Sequence, residues 1–136
     1  MFVLLVSIVM SWLGVKMARA RRQKQAAEAI VKAGGTVWYD YQRDDWSADP
    51  PVPEWLRELL GDSFFFDVVY VHVLGDDFGN DKVTYLKRLP NLEGLSLDGT
   101  QITDAGLENI RGLDLKHLSV TRAEVTDSGL EHIEGL

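Results

Sequence analysis

Few residues in this chain could do chemistry. There are three histidines, His72, His117 and His132. None stands at zinc-ligand spacing from another, or from an acid on the same helical face. Asp76, Asp77, Asn80 and Asp81 cluster around Gly79, and oxygen-rich loops of this kind bind calcium. The helix–loop–helix calcium pattern needs an acid at its twelfth position. Counted from Asp76 that residue is Lys87, so the loop reads as a solvated turn entering a helix. There is no cysteine, which excludes disulfides, thiolate nucleophiles and zinc–thiolate sites. No Gly-x-Ser-x-Gly, phosphate loop or dinucleotide fingerprint is present, and nothing orders Ser, His and Asp into a triad. The expectation is binding without catalysis, cofactor or metal. A metal-binding protein using Asp76–Asp81 is the weaker alternative.

The elements that would position any site are set by a repeat. Leu92-x-x-Leu95-x-Leu97 is followed by Ile102-Thr103-Asp104-Ala105-Gly106-Leu107-Glu108-Asn109-Ile110-x-Gly112-Leu113. Twenty-three residues later come Leu115-x-x-Leu118-x-Val120 and Val125-Thr126-Asp127-Ser128-Gly129-Leu130-Glu131-His132-Ile133-x-Gly135-Leu136. Twenty-four residues upstream the matching positions are Val68, Val71, Val73, Phe78, Val83, Leu86 and Leu89, all apolar. Leu95 and Leu97 are two apart and share a strand face. Leu107, Ile110 and Leu113 share a helix face. Thr103 and Thr126 are placed to N-cap those helices, with Asp104 and Asp127 near the positive dipole end. Gly99 and Thr100 bend the chain after the strand, and Gly112 and Gly135 suit helix ends. A period in the low twenties predicts coils of strand, turn and helix stacked side by side. Three are counted, about 68–91, 92–114 and 115–136.

The segment I-T-D-A-G-L-E-x-I-x-G-L resembles the cysteine-containing, ribonuclease-inhibitor-like type of leucine-rich repeat, departing from it where Thr100 and Ala123 replace the usual Cys or Asn. The chain as a whole is similar to short membrane-anchored repeat proteins typical of planctomycete bacteria. The carrying segments are Met1–Ala20, Arg19–Ala33 and Gly34-Gly35-Thr36-Val37-Trp38-Tyr39-Asp40. The resemblance implies an α/β fold: a leucine-rich repeat solenoid, parallel strands on the concave face and helices on the convex face, preceded by a membrane helix. It is nearly silent on function. Between the buried strand positions lie those that would face the concave surface. Tyr70, Gly94 and His117 form one row, His72, Ser96 and Ser119 the next, and Leu74, Asp98 and Thr121 the third. A recognition patch on this surface would center on Tyr70, His72 and His117. With Gly and Ser at its middle it reads as shallow.

Charge divides unevenly along the 136 residues. Residues 1–36 hold six Lys/Arg against one Glu, a net of +5, and residues 37–136 hold eight against twenty acids, a net of −12. A domain that acidic repels phosphate backbones, so no nucleic-acid partner is expected. Met1–Val15 has no charge, and extension to Ala20 with Lys16 snorkelling reaches the ~30 Å of a bilayer core. Residues 1–20 therefore read as a single-pass anchor. A cleaved signal peptide with Ala18-Arg19-Ala20 at the cleavage site is the rival, opposed by positive charge after the apolar run. Lys16, Arg19, Arg21, Arg22 and Lys24 place the repeats in the cytoplasm by the positive-inside rule. A basic juxtamembrane helix is expected over 21–35, its cations setting topology. A capping coil is expected over 36–67, with Val37–Tyr41 as a strand and Pro53–Leu60 as a helix whose apolar face is Trp55, Leu56, Leu59 and Leu60. The run Phe64–Leu74 is read as the first repeat strand. Residues 68–136 are the repeats, the last incomplete. The partners implied are a protein of unknown identity, the membrane through the N-terminal helix, and a second copy through an uncapped C-terminal coil. A fragment of a longer repeat protein is the remaining alternative.

Overall fold

The computed structural model describes residues 1–131 and 133. The chain is a mixed α/β structure built on one four-stranded sheet, small and uncurled, with an N-terminal apolar helix. That first helix, α1, runs unbroken from Phe2 to Lys32, about 46 Å at 1.5 Å per residue. The sequence suggests an anchor and a separate basic helix. They are one element, since no glycine pair or proline interrupts the chain before Gly34, where φ turns positive at 84°. Its first half is largely uncovered, with Phe2, Leu4, Ile8 and Trp12 among the exposed residues. Its second half docks on the body through Gln23, Ala26, Ala27 and Ile30, all buried.

The sheet order is β1 (Gly35–Tyr39), β2 (Val68–Leu74), β3 (Gly94–Asp98), β4 (His117–Ser119). β1 is antiparallel to β2, while β2, β3 and β4 are parallel. Val71, Leu95 and Leu118 are successive register partners, the offsets of 24 and 23 that the apolar spacing predicts. All seven apolar residues of the weaker upstream copy are buried. Two of them, Val83 and Leu86, lie on α4 (Val83–Leu86), and with the seven pack Leu107 and Ile110 of α5 (Asp104–Ile110) and the docked half of α1. Burial fades in the third copy, where Leu118, Val120 and Val125 are only half-buried and Leu130, on α6 (Asp127–Glu131), is exposed. His132, Gly135 and Leu136 lie outside the described residues.

Polar side chains tie neighbouring copies at fixed offsets. Asn80 Oδ1 accepts from Thr103 N at 3.1 Å, and Asn80 Nδ2 donates to Thr103 Oγ1 at 2.7 Å. One copy on, Asp104 accepts from Thr126 N at 2.8 Å and from Thr126 Oγ1 at 2.6 Å. The glycines of T-D-A-G and T-D-S-G follow from this. A Cβ on Gly106 would collide with Asn80 Oδ1, and one on Gly129 with the Asp104 carboxylate. Thr103 does not cap α5 with its own hydroxyl, as its position suggests; that hydroxyl and the Thr103 N–H are taken by Asn80. Likewise the post-strand turn is left-handed at Gly75, Gly99 and Arg122, related by the same offsets. Thr100 is buried and donates to Leu97 O at 3.2 Å.

One expectation is corrected. The run from Phe64 does not begin as strand, because Asp62–Phe65 form a helical turn, α3, held by the Arg57 Nε–Asp62 Oδ1 contact of 2.6 Å. At the first apolar edge, α2 (Glu54–Leu60) leaves Trp55 and Leu59 66% and 71% exposed and Leu56 half-buried. The edge is covered by β1 and by α1, whose Gln23 amide bonds the backbone on either side of Asp67: it donates to Phe66 O at 2.7 Å and accepts from Val68 N at 3.0 Å.

Candidate binding face

The face of the sheet away from the helices carries the predicted rows in the predicted register. Tyr70 stands beside Gly94 and His117, His72 beside Ser96 and Ser119, and Leu74 beside Asp98. Thr121 lies just beyond β4 and meets Asp98 through its backbone N–H at 3.1 Å. Leu74, His117 and Thr121 are exposed, Tyr70, His72, Asp98 and Ser119 half-buried. Gly94 and Ser96, expected to be open, are buried. The Tyr70 ring lies across Gly94, where a Cβ would strike it, so the missing side chain in that row is filled by its neighbour.

Two tryptophans complete the face. β1 runs antiparallel along β2 and pairs Trp38 with Tyr70. Trp46 reaches the same place from the 3-10 turn Asp40–Gln42 and the loop after it. That loop is held by Gln42 Nε2 donating to Trp46 O at 3.2 Å, and by Asp45 Oδ1 accepting from the Ser47 amide and hydroxyl at 2.9 and 2.7 Å. The rings of Trp38, Trp46 and Tyr70 meet edge to face, with centroids 5.4 to 5.6 Å apart, a favored aromatic geometry. With His72 and Ser96 they line an open cleft of about 310 Å³. The register rows could not include either tryptophan. Trp38 carries a signal in its alternation with Val37 and Tyr39, which puts it on the face opposite the core side. Trp46, in a loop, carries none.

Asp98 organizes the polar half. It accepts from Ser96 Oγ at 2.7 Å, Ser119 Oγ at 3.0 Å and Thr121 N at 3.1 Å. The Ser96 hydroxyl above all, then the Thr121 and Ser119 donors, hold its carboxyl below the usual aspartate range against the opposing pull of partial burial. His72 Nε2 lies 3.9 Å from Asp98 Oδ2, an ion pair when the imidazole is protonated. Asp98 thus ties donors of β3 and of β4 and its following turn into a polar strip beside the aromatic cleft.

The acidic loop is used otherwise. Asn80 is committed to Thr103, and the Lys82 ammonium takes the Asp77 carbonyl. Among the described residues no group of three or more His, Asp or Glu has the geometry to hold a metal. Family models, curated proteins and solved structures, each compared with this chain, give no match.

Proposed function

We propose that the chain is a membrane-tethered interaction module of the leucine-rich repeat type, in which the Trp38–Trp46–Tyr70 cleft and the Asp98 strip bind a segment of another protein without catalysis. The observation that carries this reading is the cleft itself. Three large aromatics stand together on an otherwise polar sheet face, and Trp46 is left 56% exposed. Aromatic anchors ringed by polar groups are where binding energy concentrates at interfaces. The solenoid reading is supported by the parallel register of β2, β3 and β4 and by the recurring Asn/Asp–Thr ties between copies. Tethering is supported by α1, which is long and apolar enough to cross a membrane and has no part of its apolar stretch buried. The basic cluster after that stretch favors a cytoplasmic body.

The test is site-specific photo-crosslinking of the full chain in its membrane. A photoreactive amino acid replaces Trp46 in one preparation and Asn109, exposed on α5, in another. A discrete adduct from the Trp46 position that is absent from the Asn109 position supports the reading. Adducts of equal yield from both positions, or none from Trp46, overturn it.

A further inference from the structure

We infer that the groove where α1 meets the turn after α4 binds the phosphate of an anionic phospholipid headgroup. The inference rests on the proposed membrane anchor and adds a ligand to it. The groove, about 500 Å³, is lined by Val15, Ala18, Arg19 and Arg22 of α1 and by Lys87, Arg88 and Pro90. Arg19 and Arg22 read in the sequence as part of a topology-setting helix face. Folding brings to them Lys87-Arg88, the one adjacent pair of cations in residues 37–136, a stretch otherwise dominated by acids. Arg22, Lys87 and Arg88 converge where the apolar run of α1 ends, with Val15 at the rim, while Arg19 lines the groove but points its guanidinium to Asp67.

Three of these cations lack a counter-charge: among the described residues Arg22, Lys87 and Arg88 have no carboxylate partner, whereas Arg19 has Asp67 at 3.6 Å. Arg88 rests its guanidinium 5.8 Å from the Tyr85 ring. Converging cations repel unless an anion joins them, and at this height the anion at hand is a lipid phosphate. The opposite side of α1 does not compete. There Lys16 is taken up by the rings of Trp12 and Phe64, at 5.1 and 4.9 Å, and Asp67 adds negative charge to the wall. Val15, Ala18 and Pro90 give the groove an apolar lining suited to the glycerol and first methylenes of a lipid.

The test uses the full chain in neutral maltoside micelles, with thermal unfolding followed as phosphatidylglycerol, phosphatidylcholine or inorganic phosphate is added. Phosphatidylglycerol is expected to raise the midpoint, and phosphatidylcholine to leave it unmoved. K87Q/R88Q should weaken the apparent affinity roughly thirtyfold, equivalent to about 2 kcal/mol for two cations. Both side chains are exposed, so this variant keeps the fold, and R22Q provides a second reading from α1. K24Q, which removes a cation paired with Glu28 outside the groove, should respond like the parent chain. Equal responses from K87Q/R88Q and K24Q would overturn the inference in favor of diffuse attraction. A shift produced by inorganic phosphate alone would overturn the lipid assignment. Alkaline carbonate separates the two readings: a chain washed off membranes sinks the anchor and the groove together, whereas a retained chain with no phosphatidylglycerol response sinks the groove alone.

Discussion

Asn80, Asp104 and the two glycines they overhang turn a sequence motif into a mechanical fit. Gly106→Ala should destabilize the fold by about 1–3 kcal/mol, as overpacking does, because the new methyl meets a side chain fixed by Thr103. Asn80→Ala relieves the clash but removes both hydrogen bonds to Thr103, at about 0.5–1.5 kcal/mol each. The double variant should therefore cost less than the two singles added, and strict additivity in denaturation midpoints would refute the fit. Arg122 is a simpler case. It holds φ of 57° where the two earlier copies have glycine, so Arg122→Gly is expected to gain about 1 kcal/mol, read as a raised melting point. Asp98 makes the pH prediction. A carboxyl depressed in the folded state stabilizes fully above the unfolded aspartate value of ~3.9 and loses that contribution as pH falls through the native value. The stability gap between the parent chain and Asp98→Asn should thus shrink on acidification. A gap that stays constant with pH would mean that the Ser96, Ser119 and Thr121 bonds do not favor the charged form.

At the scale of elements, α1 does two jobs, and Gln23 marks the boundary between them. Its buried amide serves both a carbonyl and an N–H at the edge of β2. Gln23→Leu leaves both unpaired and should cost about 1–3 kcal/mol for each group, measured by melting in detergent. Similar stability in that variant would show that the docked half of α1 is not held through this bridge. The sequence made the apolar columns legible because a leucine at two- and three-residue spacing has one sensible place to go. Leu95 is 1% exposed as that spacing demands. Leu118, its partner, is only half-buried, so Leu95→Ala should cost more than Leu118→Ala. The cap was not legible. Gln23 sits in a basic, polar stretch that reads as a solvated face, while Trp55 and Leu59 look like a face seeking a core and find none. The aromatic cleft was half legible: strand spacing gives Tyr70 its row, but which strand lies beside it, and which loop folds over it, depends on contacts between residues far apart in sequence. The openness expected at Ser96 failed for the same reason, and Ser96→Ala now carries a cost through Asp98.

For the whole molecule, the uncovered half of α1 is the decisive surface. Ile8→Arg puts a charge in the middle of the apolar run, a change worth about 2.5–3.5 kcal/mol against insertion. The expected outcome is a larger fraction released from membranes by alkaline wash, with the melting of the body unchanged because that residue touches none of it. Loss of body stability alongside release would contradict the division of α1 into a free and a docked half. Since α1 has no joint between those halves, the body cannot swivel independently of its stem. A bilayer thinner than the apolar run makes a helix lean, so in the proposed tethered arrangement a lean of α1 would be passed on as a rotation of the sheet and of the Trp46 cleft it carries.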